Sequence, residues 1–332
     1  MLELARDGDE KAFRELIEPH RGQLRAHCYR TLGSFQDAED ALQEALLRSW
    51  RGLSGFRVDK PLRPWLYRIA TNVCLDALAH RPDRTLPIDQ GPPARPEEGP
   101  GTPRTEILCV EPYPDEVLGL EEGYASPEAR YEQRETVELA FIVAVQRLPA
   151  LQRAVLLLRD VLGFSAREVA DILDTTVASV NSALQRARKA LEAELPARTQ
   201  QATLRSLGDA QVRQLVQRYV DAWASRDVDA IVSLLVEEAT FAMPPHPHWF
   251  DGRDAVIAFI TSTGKPRLRH VIGRASGQLA IGWYLWDPQT ANYAPVSLEV
   301  LTLEGARVRH ITAFVLPELF PRFGMPPTLA VP

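Results

Sequence analysis

The sequence predicts a multidomain protein in which two all-α helical domains are followed by a C-terminal α+β domain. Three observations carry that class. Residues up to about 195 show helical periodicity without strand-like alternation, a proline- and acid-rich stretch interrupts them, and beyond residue 268 period-two patterns take over. At 332 residues the chain exceeds the roughly 250 at which single cores stop growing, so several domains are expected. The boundaries read as 1–81, a linker over 82–128, 129–195, 208–320 and a tail over 321–332. A composition of 45% hydrophobic and 25% charged residues supports real cores, and the net charge of -6 restricts any DNA contact to local basic patches. No basic-plus-apolar leader opens the chain and no apolar run approaches the roughly 18 residues of a membrane span, so a cytoplasmic protein without membrane contact is expected. Cys28, Cys74 and Cys109 are too scattered for a disulfide framework or a C-x-x-C metal site, and neither a metal nor a cofactor is expected.

The first segment, about Asp9 to Arg81, reads as helix throughout. Phe13, Leu16 and Ile17 begin an amphipathic pattern that Leu24, Cys28, Tyr29 and Leu32 continue beyond Pro19. After a loop at Gly33 and Ser34, the stretch DAEDALQEALLRSWRGL buries Ala38, Ala41, Leu42, Ala45, Leu46 and Trp50. Asp37, Glu39, Asp40, Gln43 and Glu44 crowd its first turns, either as capping and solvation or as a docking surface for a basic partner. The next helix, PWLYRIATNVCLDALAHR, has Pro64 near its start and Trp65, Leu66, Ile69, Ala70, Val73 and Leu78 as core. Arg63, Tyr67, Arg68, Asn72, His80 and Arg81 interleave rings and cations, which suits melted DNA, although Trp65 alone reads as core.

Ser165 to Leu191 reads as two short helices joined by a tight turn. Ser165 and Glu168 form an S-x-x-E capping box ahead of Val169, Ala170, Ile172 and Leu173. Asp174 to Ala178 break the pattern, and from Ser179 the residues Val180, Ala183, Leu184, Ala187 and Leu191 form a second apolar stripe. Asn181, Ser182, Gln185, Arg186 and Arg188 fall off that stripe. This is the layout of a helix-turn-helix, and on these residues alone also that of an ordinary helical hairpin.

Taken in order, LGSFQDAEDALQEALLRSWRGL, LRPWLYRIATNVCLDALAHR and LPALQRAVLLLRDVLGFSAREVADIL resemble regions 2 and 4 of bacterial sigma-70 family factors of the short, extracytoplasmic-function type. The resemblance covers about Asp9 to Arg81 and Arg134 to Glu194. It implies a DNA-binding initiation factor, not an enzyme, whose partners are core RNA polymerase, through the beta-prime clamp helices and beta flap, and promoter DNA. Asp37, Glu39, Asp40, Gln43 and Glu44 would face the clamp helices. The loop Ser54 to Arg63, with Phe56, Arg57, Lys60 and Arg63, would capture a flipped base of the minus-10 element, Arg68 and Asn72 lying near the melted strands. The second helix of the hairpin would read the minus-35 element. Residues 179 to 184 contain no Lys or Arg, so Arg186, Arg188 and Lys189, helped by Arg167, are expected on the phosphate backbone. Ser179, Asn181, Ser182 and Gln185 are expected near base edges.

The linker, Pro82 to Glu128, holds ten prolines and eleven acids against three arginines. Arg84 to Thr105 is expected to be a semi-extended, partly disordered tether. ILCVEPYPDEVL is its one apolar patch, with Ile107, Leu108, Val110, Tyr113, Val117 and Leu118, and reads as a docking segment for polymerase or for the C-terminal domain.

A spacer is expected at about Pro196 to Gly208, and then a helix over QVRQLVQRYVDAWASRD and a second helix at about Val228 to Val236. The strand-like ATFAMP, a helix in GRDAVIAFI and alternating strands follow, with Glu304 and Gly305 as the last hairpin turn. On AWASRDVDAIVSLLVEEATFAMPP followed by DGRDAVIAF this part resembles the cone-shaped SnoaL-like fold shared with ketosteroid isomerase and nuclear transport factor. That fold wraps a pocket, for which Trp223, Phe241, Met243, Trp249, His270, Trp283 and Phe314 are candidate lining residues, with Tyr284, Trp286 and His310 beside them. Asp221 or Asp251 are conceivable bases, but no pair has a spacing that compels catalysis, and an unidentified small-molecule ligand is the milder alternative to a purely regulatory fold. The H-P-H at 246 to 248 lacks a third nearby metal ligand and reads as a loop.

Overall fold

The computed structural model describes residues 1–104, 106, 108–116 and 135–330, which fold as two compact units. The first unit joins residues 1–84 to the stretch from 115 to 196; the second joins 85–114 to residues 197 onward.

The first unit is all helix. A short α1 (Leu2–Arg6) precedes α2 (Glu10–Leu32), which opens on Asp9, whose carboxylate accepts from the Lys11 and Ala12 amides, and closes on Gly33 at φ 68°. Pro19 lies inside α2. Ser34 caps α3 (Phe35–Gly52), and α4 (Leu62–Leu78) follows. Leu24, Cys28, Tyr29, Ala38, Leu42, Leu66, Ala70 and Cys74 are almost fully buried, so one apolar core holds these three helices. The described part of the second segment contains α5 (Leu139–Gln146), α6 (Ala150–Leu156), a π-type turn at Leu157–Val161, α7 (Ala166–Ile172) and α8 (Val177–Glu194).

A buried polar network ties the segments together. Arg153, 1% exposed, donates to the Thr31 carbonyl at 2.7 Å, to Gln146 Oε1 at 2.7 Å and to the Gln146 and Leu148 carbonyls at 2.6 and 3.2 Å. Gln146 in turn donates to the Arg30 carbonyl at 3.0 Å. Burial lowers the Arg153 pKa to about 10, the exposed Asp83 carboxylate opposing.

The second unit is α+β. Its helices are α9 (Gln200–Ser225), α10 (Val228–Leu234) and α11 (Arg253–Ser262). Its strands are β1 (Leu235–Ala242), β2 (Trp249–Asp251), β3 (Leu268–Ala275), β4 (Gln278–Asp287), β5 (Asn292–Glu304) and β6 (Arg307–Phe314). They form one sheet in the order β2-β1-β6-β5-β4-β3, with β1 and β6 the parallel pair among antiparallel neighbours. Tyr219, Val220, Trp223, Ile231, Phe250, Val256, Ile281 and Ile311 bring the helices and the sheet into one core.

Four expectations are corrected. The spacer over Pro196 to Gly208 contains the first turns of α9, which bends at Gly208 (φ 74°, ψ 159°). Gln200 accepts from the Leu303 amide and donates to its carbonyl, so the polar residues that read as a spacer saturate the backbone of β5. The last hairpin turns at Gly305 and Ala306, with Glu304 already paired to Arg307. The stretch after residue 320 is not a loose tail: Met325 is buried, a Cβ on Gly282 would lie 2.5 Å from its Sδ, and Tyr293 exchanges two backbone hydrogen bonds with Leu329.

The fourth correction concerns the linker. Residues 85–110 close into a loop, with the Thr85 amide donating to Leu108 and the Val110 amide to Thr85. Beyond it, Ser276 grips Tyr113 through both its amide and its hydroxyl, at 2.8 and 3.1 Å. Trp249 Nε1 donates to the Gly91 carbonyl at 2.9 Å, and the Trp249 carbonyl accepts from Ala94 at 2.9 Å. His246 and His248 Nδ1 donate to the Gly101 and Gly99 carbonyls, each at 2.8 Å. The prolines have little backbone freedom to lose, and the 246–249 loop supplies the hydrogen bonds that a tether would take from water. Of the apolar patch, Val110 and Tyr113 are fully buried and Leu108 half-buried, while Ile107, Val117 and Leu118 lie outside the described residues, as does Arg134.

Candidate nucleic-acid interface

The hairpin α7–α8 is built as its sequence requires. Ser165 Oγ accepts from the Glu168 amide at 3.2 Å and Glu168 Oε2 accepts from the Ser165 amide at 2.8 Å, which also holds the Glu168 carboxyl below its ordinary range. Thr176 caps α8 through the Ser179 amide at 3.1 Å. Val180, Ala183, Leu184 and Ala187 face the core. Asn181, Ser182, Gln185, Arg186, Arg188 and Lys189 are exposed, as is Arg167 on α7, and Ser179 is half-buried. These side chains therefore share a solvent-facing surface. Arg188 differs from its neighbours: Asp160 holds it through two bonds of 2.7 and 2.8 Å, raising its pKa. Among the described residues no ion pair engages Arg167, Arg186 or Lys189.

The loop before α4 is less open than its sequence suggests. Phe56 is 5% exposed and packs against the Trp65 ring at a centroid distance of 4.9 Å, so its ring belongs to the core with Ala5, Ala12 and Leu53. Arg57 is exposed but bonded twice to Asp59, at 3.0 and 2.8 Å, and Lys60 is exposed. Arg63 donates to the Leu162 carbonyl at 2.8 Å with its guanidinium 4.2 Å from the Phe164 ring centre, so it joins α4 to the turn before α7. Arg68 and Asn72, one turn apart on α4, face solvent. Phe56 and Arg63 thus lie inside the helical unit, and Arg57, Lys60, Arg68 and Asn72 on its surface.

The acidic turns of α3 divide in the same way. Asp37 accepts from Arg84 at 2.6 Å and also from Arg81; burial opposes its ionisation, but the two guanidinium groups outweigh it and hold the carboxyl below its ordinary range. Glu39 pairs with Arg25 at 2.8 Å and Glu44 with Arg48 at 2.7 Å. Asp40 and Gln43 are exposed. With Glu44 and Leu47, which is 49% exposed, they make an i, i+3, i+4, i+7 stripe on α3. Sequence reading missed Leu47 because its helical phase is close to that of the buried residues.

In the second unit, Trp223, Phe241, Met243 and Trp283 line a cavity of about 310 Å³. Trp249 instead holds the linker, His270 packs edge-on against Trp283 at 5.7 Å, and Phe314 is fully buried away from the cavity wall. Asp221 and Asp251 are exposed and line nothing. The carboxylate that does line the cavity is Glu299 on β5, which sequence reading did not single out. Among the described residues no cluster of side chains is suited to hold a metal ion, and no helix is long and apolar enough to cross a membrane.

Comparison with known proteins assigns the same three parts. A model of sigma-70 region 2 matches residues 16–82, one of sigma-70 region 4 matches residues 138–191, and one of the SnoaL-like domain matches residues 216–312. The chain is 41% identical over 330 residues to the ECF RNA polymerase sigma factor SigG of Mycobacterium tuberculosis, covering 98% of this chain and 86% of that protein. It is 27% identical over 195 residues to the ECF RNA polymerase sigma factor SigW of Bacillus subtilis, covering 58% of this chain and 94% of that one. The crystal structure of the Mycobacterium tuberculosis extracytoplasmic function sigma factor SigJ is similar in fold, with a TM-score of 0.58 at 23% identity, over 92% of this chain and 97% of that chain.

Proposed function

The chain belongs to the extracytoplasmic-function sigma factors of the sigma-70 family and carries a C-terminal SnoaL-like domain, and from that premise we propose how its parts divide the work of starting transcription. Residues 1–81 bind core RNA polymerase and the minus-10 element, 129–195 bind the minus-35 element, and 208–320 modulate both. The protein acts in the cytoplasm, where polymerase and promoter are. Sigma factors are not enzymes, and the chain works by binding and melting, with no covalent step.

One observation carries the assignment: α8 presents Asn181, Ser182, Gln185, Arg186 and Lys189 on one open surface, braced from behind by α7. Short polar side chains toward the N-terminal end suit base edges in a major groove, and cations further along suit phosphates. Arg188 takes its place on the backbone by exchanging Asp160 for a phosphate. On α4, Arg68 and Asn72 meet the melted strands, with Arg57 and Lys60 at the loop. Phe56 supports the loop from within, and Arg63 reaches DNA only if it leaves Leu162 and Phe164. The stripe Asp40, Gln43, Glu44 and Leu47 docks on the beta-prime clamp helices, Asp37 and Glu39 holding the helix in place behind it. The C-terminal domain modulates activity by holding the linker that connects the two DNA readers.

The test has two parts. The full chain should co-purify with core RNA polymerase, and Leu47→Asp should reduce that association. Promoter binding should weaken with salt, and Arg186→Ala should reduce the slope of log affinity against log salt by about one charge. Failure to associate with core would leave a DNA-binding repressor as the better reading; an unchanged salt slope would remove Arg186 from the interface.

A further inference from the structure

The cavity of the second unit has a wall that packing alone does not explain. Trp223, Phe241, Phe259 and Trp283 make it aromatic, and Leu268, Leu285 and Val296 make its partly exposed side aliphatic. Into this wall β5 inserts Glu299, which is 4% exposed. Burying a carboxylate among rings costs several kcal/mol unless hydrogen bonds and charges compensate. Compensation here is incomplete. Tyr219 Oη donates to Glu299 Oε2 at 2.9 Å, with its ring stacked on Trp223 at 4.2 Å and thereby fixed. The Trp283 indole N–H lies near enough to the carboxyl to favour its charged form, yet it is buried without a hydrogen bond of ordinary geometry. Arg226, the nearby cation, spends Nη2 on Thr263 at 3.1 Å and leaves Nε unpaired.

We propose that this cavity is a binding site for a small, flat, mostly apolar ring compound that carries one hydroxyl oxygen, held between Glu299 and Trp283. A hydroxyl both donates and accepts. It can donate to Glu299 and accept from Trp283, which satisfies the two groups that the fold leaves short. The rings of Trp223 and Phe259 receive the apolar body. At about 310 Å³ the cavity lies at the small end of ligand pockets, which limits the compound to two or three fused rings. The raised pKa of Glu299, about 7, is the state of a carboxyl poised to accept or donate near neutral pH. The inference stands on the second unit alone and is independent of how the chain contacts polymerase or DNA.

The experiment titrates the full chain with 2-naphthol, following tryptophan fluorescence and binding heat, and repeats it with naphthalene, which has the rings but not the oxygen. We expect saturable 1:1 binding of 2-naphthol, weaker by at least about fivefold for naphthalene and for Trp283→Phe, the factor one hydrogen bond confers. Val296→Trp, which fills the cavity from its partly exposed side and is checked for folding by its melting curve, should abolish binding. Absence of saturable 2-naphthol binding overturns the proposal, and so does equal affinity for naphthalene. Undiminished binding by folded Val296→Trp places the compound elsewhere and overturns it as well.

Discussion

Glu299 shows how a single residue sets the pH behaviour of a domain. Burial pushes its carboxyl up to about 7, against the weaker opposing pull of Trp283, Tyr219 and Arg226. The folded state therefore holds this proton more tightly than the unfolded chain, whose carboxyl titrates near 4.5. The stabilisation is complete below that value and is lost as pH rises through about 7. Calorimetry should find the melting temperature of the second unit falling between pH 5 and pH 8, and Glu299→Gln should remove most of that fall. In VSLEVLTLEG the alternation alone does not say which face holds Glu299, and a lone Glu in a strand ordinarily marks the solvent side. Arg153 was equally hard to see, lying in an apolar run where a cation reads as surface. Because it serves the carbonyls of Thr31, Gln146 and Leu148, Arg153→Met should strand these acceptors and destabilise the helical unit by about 3 kcal/mol in denaturant unfolding.

At the scale of elements, helices with a cap and a stripe were legible before any coordinates. The Ser165–Glu168 box, the stripe of α8 and its open polar row are all local consequences of spacing. What spacing could not show is where a polar stretch finds its partners. The linker looked disordered because its own residues cannot bury much area, and its order comes from Trp249, His246 and His248, some 150 residues away. The same loop explains why the H-P-H motif is not a metal site: its ring nitrogens donate to the carbonyls of Gly101 and Gly99. Trypsin should cut slowly after Arg104 in the unmodified chain, whose Arg104 amide is bonded to Pro245. Trp249→Ala should raise that cleavage rate several-fold, and equal rates would show that the linker is not held there.

For the whole molecule, the order of parts was readable because each has its own period: helical, proline-broken, then alternating. The division of the linker was not, since residues 85–114 fold with the C-terminal part while lying between the two helical segments in sequence. That arrangement lets one domain act on the connection between two DNA readers, and removing residues after Pro196 should change transcript yield. The account rests most heavily on the chain being a two-part promoter reader that works with polymerase. Run-off transcription from a genomic fragment library, with purified core RNA polymerase and the full chain, tests this directly. Discrete start sites should appear only when the chain is present, and Arg186→Ala should reduce their yield in proportion to its loss of promoter binding. A library in which no start site depends on the chain would contradict the account.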